Sequence, residues 1–279
     1  MKFFNRLKIQ RVIIYGLHSE DWNIALGPNS KVWQLLPKVG QVLVVDAIPG
    51  FLPSKKIYYK DCIIPLMEKH IIDAPNSSST LKPQKEVLNI FANKKSFNKL
   101  LNELSLSQFQ PKVYSELSKI KFPVVLKRTD LNASQGIKII FSNEELIKSL
   151  SEDMWREEEF IIQEFIENNY DYVWHAVYKN GIRLWEITFK YAKQNSLVLR
   201  DSSTEVESTK IDSDLEALNI FDQILFKMNF SGPCNIDFSY ISSDLKIFEI
   251  NPRFGGSLMK KDNLLYLAQA LNAIIRTTS

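Results

Sequence analysis

The chain has 279 residues and a formal net charge of +3, with 45% hydrophobic and 24% charged residues. This length is enough for two compact lobes with cores of their own, and the composition is that of an ordinary globular protein. The balanced charge gives no support to binding of nucleic acid or of an acidic membrane surface. No stretch approaches the roughly 20 apolar residues of a membrane span, and the apolar run 12–15 is too short for a secretion signal.

The few cysteines and histidines narrow the chemistry. The two cysteines, Cys62 and Cys234, resemble neither a disulfide framework nor a metal cluster, which predicts a reduced, cytoplasmic compartment. Three histidines without Cys-His spacing argue against a zinc site. The sequence contains no G-x-S-x-G, no P-loop and no G-x-G-x-x-G, so a serine hydrolase, a P-loop NTPase and a simple Rossmann dehydrogenase lose their usual support.

The first part of the chain has the pattern of a small α/β domain. The β-branched runs at 11–15 and 41–46 are typical of buried parallel strands, and 57–64 is a third candidate strand. Between the first two strands, Ser30 is placed to cap a helix.

No phosphate-binding loop follows the first of these strands. Gly16 stands there without companion glycines, and His18 and Glu20 are interpreted as loop residues rather than catalytic groups. We therefore expect this part of the chain to be a scaffold that also lines an acceptor pocket.

Two helices are predicted next, after a turn-rich segment at 75–79. Helical spacing of apolar residues runs from 84 to 104 and is interrupted by the basic segment 93–97. A lysine such as Lys94 at the start of a helix opposes the helix dipole, which indicates that it faces an anion. The alternative, a solvated pair of surface lysines, stays open at this point.

A predicted hairpin then places a lysine beside a polar loop. Lys127 ends a strand that begins at Phe122, and a loop with Ser134 and Gly136 leads into a second strand at 137–141. A lysine in this position can meet a phosphate while the loop folds over it, although lone hairpins with lysines are common. Directly afterwards, Ser142 and Glu145 form a capping-box pattern that predicts a helix.

The following segments predict a strand and a second hairpin. Residues 160–166 read as a strand that presents backbone groups as it leaves its sheet. The runs 172–178 and 183–191 predict a hairpin, because Asn180-Gly181 between them matches a type I′ turn.

A polar loop and two helices complete the coarse pattern. The loop is predicted over 194–208, and Arg200 and Asp201 within it are candidates for contact with a substrate. Apolar spacing predicts one helix at 215–228 and a final helix at 261–275.

The most informative stretch is a pair of alternating polar and apolar runs at 234–240 and 245–251, which predicts a β-hairpin. The second run places Glu249 and Asn251 on one face, with Phe248 and Ile250 on the opposite face. With the turn centred on Ser243, Asp237 lies directly across from Glu249, with Cβ atoms roughly 5 Å apart. Two facing carboxylates repel each other, so a cation is expected between them.

The neighbours of these carboxylates indicate which cation. The same register places Asn235 across from Asn251, and oxygen ligands of this kind suit Mg²⁺, which also takes phosphate oxygens. The segment 252–256 adds a guanidinium and a backbone able to approach closely. The alternative is a solvated strand face whose acids pair with Lys246 or Arg253.

In this order the pieces resemble the ATP-grasp superfamily of ATP-dependent carboxylate ligases, over about residues 84–260. The resemblance implies an α/β protein with the α+β ATP-grasp fold, in which a small N-terminal pre-ATP-grasp α/β domain precedes two α+β lobes that clasp ATP. The implied boundaries are 1–80 for the N-terminal domain and 81–279 for the ATP-grasp domain. Within the latter, the nucleotide-covering lobe would span about 110–168 and the metal-binding lobe about 169–279.

The resemblance also assigns metal ligands. The E-x-N-P-R segment that begins at Glu249 is similar to the magnesium-binding strand of the family. Asp237, Glu249 and Asn251 would hold Mg²⁺, with Mn²⁺ as the alternative ion. Arg253 would be catalytic and would steady the transferred phosphoryl group or the acyl-phosphate oxygen.

The nucleotide contacts implied by the resemblance cover phosphates, adenine and ribose. They are Lys94 and Lys127 at the phosphates, Ser134 and Gly136 in the covering loop, Gln163, Glu164, Phe165 and Ile166 at the adenine edge, and Asp171 at the ribose. The chain departs from the family pattern in having one glycine in the covering loop and Asp171 where a glutamate is usual. These departures put nucleotide affinity in doubt, but they remove no phosphate or metal ligand.

The implied function is an ATP-dependent carboxylate–amine ligase that acts through an acyl phosphate and converts Mg-ATP into ADP and phosphate. Its partners would be a small-molecule carboxylate and an amine, and a homodimer is an expectation at the level of the family. Three alternatives stay open. They are an ATP-grasp phosphotransferase, a non-catalytic ATP-binding regulatory module and a plain α/β scaffold or interaction protein.

Overall fold

Three β-sheets, of three, four and five strands, form the framework of the described part of the chain in the computed structural model. None of the helices in these parts of the chain is long and apolar enough to cross a membrane. The structure describes residues 9–50, 59–129, 136–155, 160–193, 195–197 and 208–278.

The first sheet belongs to the N-terminal part of the chain, where the elements are β1 (Ile9–Tyr15), α1 (Glu20–Leu26), β2 (Val39–Val45), β3 (Tyr59–Pro65) and α2 (Glu68–Asp73). The three strands are parallel, in the order β2-β1-β3. The β-branched residues of β1 and β3 are buried, as predicted for a parallel sheet, whereas the valines of β2 are only half-buried.

Two local predictions in this part need correction. Glu20 is not a loop residue, because it begins α1, where a carboxylate is favoured by the helix dipole. The hydroxyl of Ser30 accepts from the N–H of Val32 as a cap does, but the segment that follows is a 3₁₀ helix, Lys31–Leu35. Pro37 lacks an N–H, so a longer α-helix cannot continue there.

The interrupted helical pattern that follows is two helices, α3 (Lys85–Ala92) and α4 (Lys94–Glu103). Asn93 separates them in an extended conformation, and its side-chain oxygen accepts from the N–H of Ser96 at 3.0 Å. The basic segment therefore opens a second helix, as predicted, with Lys94 in its first turn.

The four-stranded sheet follows, with elements β4 (Val113–Tyr114), β5 (Val124–Arg128), β6 (Ile137–Ile140), α5 (Asn143–Leu150) and β7 (Phe160–Glu164). The strands are antiparallel in the order β4-β7-β5-β6. Ser142 caps α5, since its hydroxyl accepts from the N–H of Glu145 at 3.2 Å. Short 3₁₀ helices connect these elements at Ser107–Phe109, Leu117–Lys119 and Asp153–Trp155.

The five-stranded sheet and its helices complete the described chain, with β8 (Tyr170–Lys179), β9 (Ile182–Ala192), β10 (Ser208–Ile211), α6 (Leu215–Lys227), β11 (Gly232–Ile241), β12 (Asp244–Asn251) and α7 (Leu264–Thr277). The strand order is β10-β9-β8-β11-β12, and all pairs are antiparallel. Two 3₁₀ helices, Gly256–Met259 and Lys261–Asn263, lie between β12 and α7.

Both hairpins of this sheet close with two-residue turns. Asn180 and Gly181 have φ values of 51° and 77°, which fits the predicted type I′ turn. Ser242 and Ser243 also have positive φ, 48° and 89°, although neither is a glycine. The second turn is therefore shorter by one residue than the turn predicted around Ser243.

Two hydrophobic cores cover the two faces of the five-stranded sheet. On one face, residues of β8 such as Val173 pack with Val12 of β1, Trp22 of α1 and Leu271 of α7. On the other face, residues such as Trp174 pack with α3, α4 and α6. The first of these cores thus joins the parallel sheet to the last helix of the chain.

Candidate nucleotide and metal site

A cleft of about 250 Å³ lies between the four-stranded and the five-stranded sheets. Predicted site residues line it from both sides, and they come from β5, β7, β8, β11 and β12. They are Lys127, Glu164, Phe165, Ile166, Asp171, Asp237 and Glu249. Strands that are distant in sequence thus bring two candidate metal-binding carboxylates, a lysine and a candidate ribose-binding carboxylate to one cleft.

The predicted pairing of the acidic hairpin is present. Asp237 lies across from Glu249, and Asn235 lies across from Asn251. The pairing shifts between Asp237 and Phe238, where a bulge adds one residue to β12. This bulge compensates for the shorter turn, so the predicted register holds at the acidic end of the hairpin.

The amide of Asn251 lies between the two carboxylates. Its Nδ2 atom is 3.3 Å from Asp237 Oδ2 and 3.0 Å from Glu249 Oε1, and it is 3.2 Å from Asn235 Oδ1. Three oxygen atoms therefore surround one amide NH₂ group, whose partial positive charge offsets the repulsion between the two facing carboxylates.

The donor set fits a hard cation. Carboxylate and amide oxygens suit Mg²⁺, which is usually bound by one or two carboxylates together with phosphate oxygens. Rotation of the Asn251 amide would present its oxygen instead of its nitrogen. Within the described ranges no group of three or more His, Cys, Asp or Glu residues forms a metal site. A cation here would thus depend on amide and phosphate oxygens besides Asp237 and Glu249.

Lys127 provides positive charge beside these carboxylates. Burial lowers the pKa of its ammonium to about 8, and the nearby charge of Lys94 acts in the same direction, while Glu249 and Asp237 oppose the shift. Burial raises the pKa of Glu249, but the hydrogen bond from Asn251 and the charges of Lys94 and Lys127 outweigh it, so that the pKa is lowered overall. Glu249 is therefore held ionised next to two cationic side chains.

Phe248 lies on a different face from the one predicted. The alternation in sequence placed it with Ile250 on the face opposite Glu249, yet it lines the cleft beside Glu249. Lys127 Nζ is 5.7 Å from the centre of its ring, within cation–π range. The bulge explains the difference. Phe248 is the added residue and lies on the cleft side with Glu249, while Ile247 pairs with Phe238 and takes the core position.

The residues of the predicted adenine edge, Glu164, Phe165 and Ile166, also line the cleft. The pairing of β7 ends at Glu164, so the ladder within the described residues does not use the backbone groups of Phe165 and Ile166. Gln163 is buried in β7 and is not part of the cleft lining. Backbone groups just after a strand can read the edge of a base.

Asp171 and Lys193 lie near each other in the same cleft. Asp171 is buried on β8 and lines the cleft, as does Lys193, which directly follows β9 and was not predicted. Burial lowers the pKa of Lys193, opposed by the charges of Asp171 and Glu167. Lys193 Nζ donates to the carbonyl of Ser196 at 3.2 Å. Lys193 could not be recognised as a site residue from the sequence, because a single lysine after a strand is common.

Lys94 and Arg253 lie beside the cleft and are not part of its lining. Lys94 lines a small adjacent cavity of about 20 Å³ together with Glu249, Asn251 and Glu68. Arg253 donates from Nε to Glu68 Oε1 at 2.8 Å. Glu68 was not predicted as a site residue; it begins α2 in the N-terminal part of the chain.

The predicted covering loop is only partly described. Gly136 has a φ of 63°, and its carbonyl accepts from the N–H of Arg128 at 2.8 Å, which closes the hairpin of β5 and β6. Ser134, and likewise the substrate candidates Arg200 and Asp201, lie outside the described residues.

Close approach of the backbone after β12 depends on Gly255. A Cβ atom there would lie 2.5 Å from His175 Cε1 and 3.1 Å from Asn235 Cγ. His175 Nε2 in turn lies 2.6 Å from Ser257 Oγ. The absence of a side chain thus lets the segment after β12 pack directly onto β8 and β11.

Sequence comparison relates part of the chain to larger synthetases. The carbamoyl phosphate synthase large chain of Saccharolobus islandicus is 24% identical over 202 residues, which is 67% of this chain and 19% of the relative. The multifunctional protein pyrABCN of Emericella nidulans is 23% identical over 181 residues, 60% of this chain and 8% of the relative. The chain thus spans a fifth or less of the length of these relatives. No family model matches the chain.

Similar solved structures cover almost the whole chain. A D-alanine–D-alanine ligase from Bacillus anthracis has 17% identity, covers 97% of both chains and gives a TM-score of 0.62. Its complex with ATP has 14% identity, covers 98% of this chain and 97% of its own, and gives 0.61. Phosphoribosylamine–glycine ligase from Thermotoga maritima has 16% identity, covers 95% of this chain and 75% of its own, and gives 0.69. The fold is therefore the ATP-grasp fold, as the sequence pattern predicted.

Proposed function

We propose that the protein is an enzyme, an ATP-dependent carboxylate–amine ligase that acts through an acyl phosphate. The observation that carries the proposal is that Asp237, Glu249 and Lys127 line a single cleft, with the Asn251 amide donating to both carboxylates. A facing pair of carboxylates beside a buried ammonium suits bound metal and phosphate. The similar structures named above are ligases, and one was solved with ATP, which supports the same assignment.

In the proposed reaction, a substrate carboxylate oxygen attacks the γ-phosphorus of ATP while the bond to the β–γ bridging oxygen breaks and ADP leaves. An amine then attacks the acyl carbon, and inorganic phosphate leaves with the oxygen that came from the carboxylate. Catalysis in such transfers is mostly positioning and stabilisation of charge. We assign no general base.

Different residues of the cleft would bind different parts of ATP. Lys127, and Lys94 beside it, would neutralise phosphate oxygens, since both ammonium groups lie near Glu249. Asp171 would accept hydrogen bonds from the ribose hydroxyls. The backbone of Phe165 and Ile166 would contact the adenine edge.

A bound Mg²⁺ would supply charge neutralisation at the phosphates, and Mn²⁺ could replace it. Asp237, Glu249 and the side-chain oxygen of Asn251 would hold it. The Asn251 amide donates to both carboxylates, and the charges of Lys94 and Lys127 help to lower the pKa of Glu249. The residues present thus fit the ion by their chemistry.

The same proposal includes the organisation and setting of the protein. Residues 1–80 would form a pre-ATP-grasp domain, and residues 81–279 the ATP-grasp domain. Cys62 and Cys234 are both buried free thiols, which supports a reduced, cytoplasmic compartment. The substrates would be a small-molecule carboxylate and an amine, and the assembly a homodimer.

The test is ADP release from Mg-ATP in the presence of pooled amino acids. We expect turnover that depends on an amino acid and is lost in Glu249→Ala. Glu103→Ala is the matched control, because Glu103 is 61% exposed and pairs only with Lys99 one helical turn away. ADP formation without a new amide bond would indicate a phosphotransferase. A wild-type protein whose melting temperature does not respond to ATP would contradict the nucleotide site itself.

A further inference from the structure

Arg253 is oriented by two fixed acceptors. Its Nε donates to Glu68 Oε1 at 2.8 Å, and its Nη1 donates to the carbonyl of Phe254 at 3.0 Å. A guanidinium is planar, so two bonds of this kind define both the position and the direction of the group. Among the described residues, Nη2 has no hydrogen-bond partner, which leaves this nitrogen for a ligand oxygen.

The ion pair is shielded from water. The side chain of Arg253 is 15% exposed and that of Glu68 is 21% exposed, and the two residues are 185 positions apart in sequence. A half-buried pair of this kind is screened less than a surface pair, and the loss of one partner leaves the other charge uncompensated. The orientation of Arg253 therefore depends on Glu68.

Glu68 is itself held in place by the N-terminal part of the chain. It begins α2, where the N–H of Met67 donates to His70 Nδ1 at 3.2 Å. The ring of His70 packs against the backbone of Gly16, which has a φ of 104° and no room for a side chain. The carboxylate thus projects from a rigid turn and not from a free loop.

Glu68 also lies next to two of the residues proposed to bind the metal. It lines the small cavity that Glu249, Asn251 and Lys94 share. Arg253 follows the end of β12 by two residues, so without Glu68 its guanidinium would be drawn toward the carboxylates of the metal-binding hairpin, since opposite charges attract strongly where water is scarce. Glu68 gives Arg253 a competing acceptor on the other side.

We propose that Glu68 is a positioning residue, which holds the Arg253 guanidinium beside the metal-binding hairpin and directs its open N–H groups at the phosphoryl group in transfer. This inference rests on the proposed function. It makes the phosphoryl-transfer step depend on a side chain from the N-terminal part of the chain, while the affinity for ground-state nucleotide does not depend on it.

The experiment compares binding of Mg-ADP with binding of Mg-ADP plus orthovanadate, which adopts the five-coordinate geometry of a phosphoryl group in transfer. We expect the wild type to bind Mg-ADP about tenfold or more tightly when vanadate is present, because donors preorganised for the transition state favour that geometry. Glu68→Gln should lose this gain, with the dissociation constant for Mg-ADP alone changed less than about twofold. Glu68→Asp should recover part of the gain.

Two further variants separate positioning from a general effect on folding. Arg253→Ala should lose the same gain as Glu68→Gln, and the double variant should be no worse than either, because both changes remove one interaction. Glu20→Gln, an exposed acid at the start of α1, should behave as the wild type.

Each other outcome counts against the proposal. A full vanadate gain in Glu68→Gln would overturn it, and so would losses that multiply in the double variant. A wild type that binds Mg-ADP without any vanadate gain would also overturn it and would leave the nucleotide site intact. A wild type that does not bind Mg-ADP at all would refute the proposed function as well, so the two failures are distinguishable.

Discussion

The ammonium of Lys127 lies 5.7 Å from the centre of the Phe248 ring, on the wall of the cleft that also carries Glu249. The ring removes water from one side of the lysine, and Glu249 offers it a charge partner. These effects act in opposite directions on the pKa, and burial is the larger, so the pKa is lowered to about 8.

Nucleotide affinity is predicted to fall as the pH rises above about 8. Phosphate oxygens favour the charged ammonium of Lys127, so binding requires uptake of a proton once the free protein has lost it. The dissociation constant for Mg-ATP should rise by up to about tenfold per pH unit above that value. Calorimetric titrations at pH 7 to 9.5 measure this, and Lys127→Arg should remove the dependence, because arginine stays protonated.

The free energy of unfolding of the nucleotide-free protein should instead rise with pH over the same range. The pKa of Lys127 is lower in the folded protein than the roughly 10.4 of an unfolded chain. The charged lysine therefore destabilises the folded state fully below pH 8, and this cost recedes as the pH rises from about 8 to about 10. Urea unfolding of wild type and Lys127→Met across this range measures it. A difference that is constant with pH would contradict the lowered pKa.

Phe248→Ala is predicted to move the midpoint of the pH profile for Mg-ATP binding to a higher pH. Removal of the ring admits water to the ammonium of Lys127, which brings its pKa closer to the ordinary value. The control is Phe226→Ala, because Phe226 is 69% exposed and lies on α6. An unchanged midpoint would mean that Phe248 does not shield the lysine.

Asn251→Asp is predicted to lower the melting temperature of the metal-free protein and to enlarge the stabilisation by Mg²⁺ alone. The change replaces the N–H donor between Asp237 and Glu249 with a third carboxylate, which increases repulsion in the absence of a cation. Thermal melts with and without MgCl₂ measure both effects. Asn219→Asp, on the exposed face of α6, should alter neither. A smaller response to Mg²⁺ than in the wild type would contradict the metal site.

Gly255 and Gly256 form a matched pair for a test of packing. A Cβ at Gly255 would collide with His175 and Asn235, whereas a Cβ at Gly256 would come no closer than 4.0 Å to Trp22 Nε1. Gly255→Ala should lower the free energy of unfolding by about 1–3 kcal/mol, as overpacking of a core does. Gly256→Ala should be close to neutral in the same denaturant titration. Equal effects of the two changes would contradict the close approach.

Local pattern predicted most of the strands and the acidic hairpin, and the resemblance to the ATP-grasp superfamily predicted the fold class. The pairing of Asp237 with Glu249 was right although the turn was predicted one residue too long, because a bulge in β12 restores the register. The same bulge made the prediction for Phe248 wrong. Alternation in sequence assumes a regular strand, and nothing in the residue types marks where an extra residue is inserted.

Other parts of the site could not be predicted because they depend on tertiary contacts. Glu68 meets Arg253 across 185 positions of sequence, and an acid at the start of a short helix has no distinctive pattern. Lys193 gains its place from the pairing of β8 with β9 beside Asp171, which a single lysine does not reveal. The sequence thus identified residues within regular elements better than the partners that hold them.

The hydrophobic core that joins Val12 of β1 to Leu271 of α7 has a consequence for biosynthesis. The parallel sheet is synthesised about 200 residues before α7 (Leu264–Thr277), the helix that packs on it. Its apolar face, including Ile14 and Cys62, therefore cannot be fully covered until α7 has emerged from the ribosome. Emergence of α7 would thus be the event that allows this core to close.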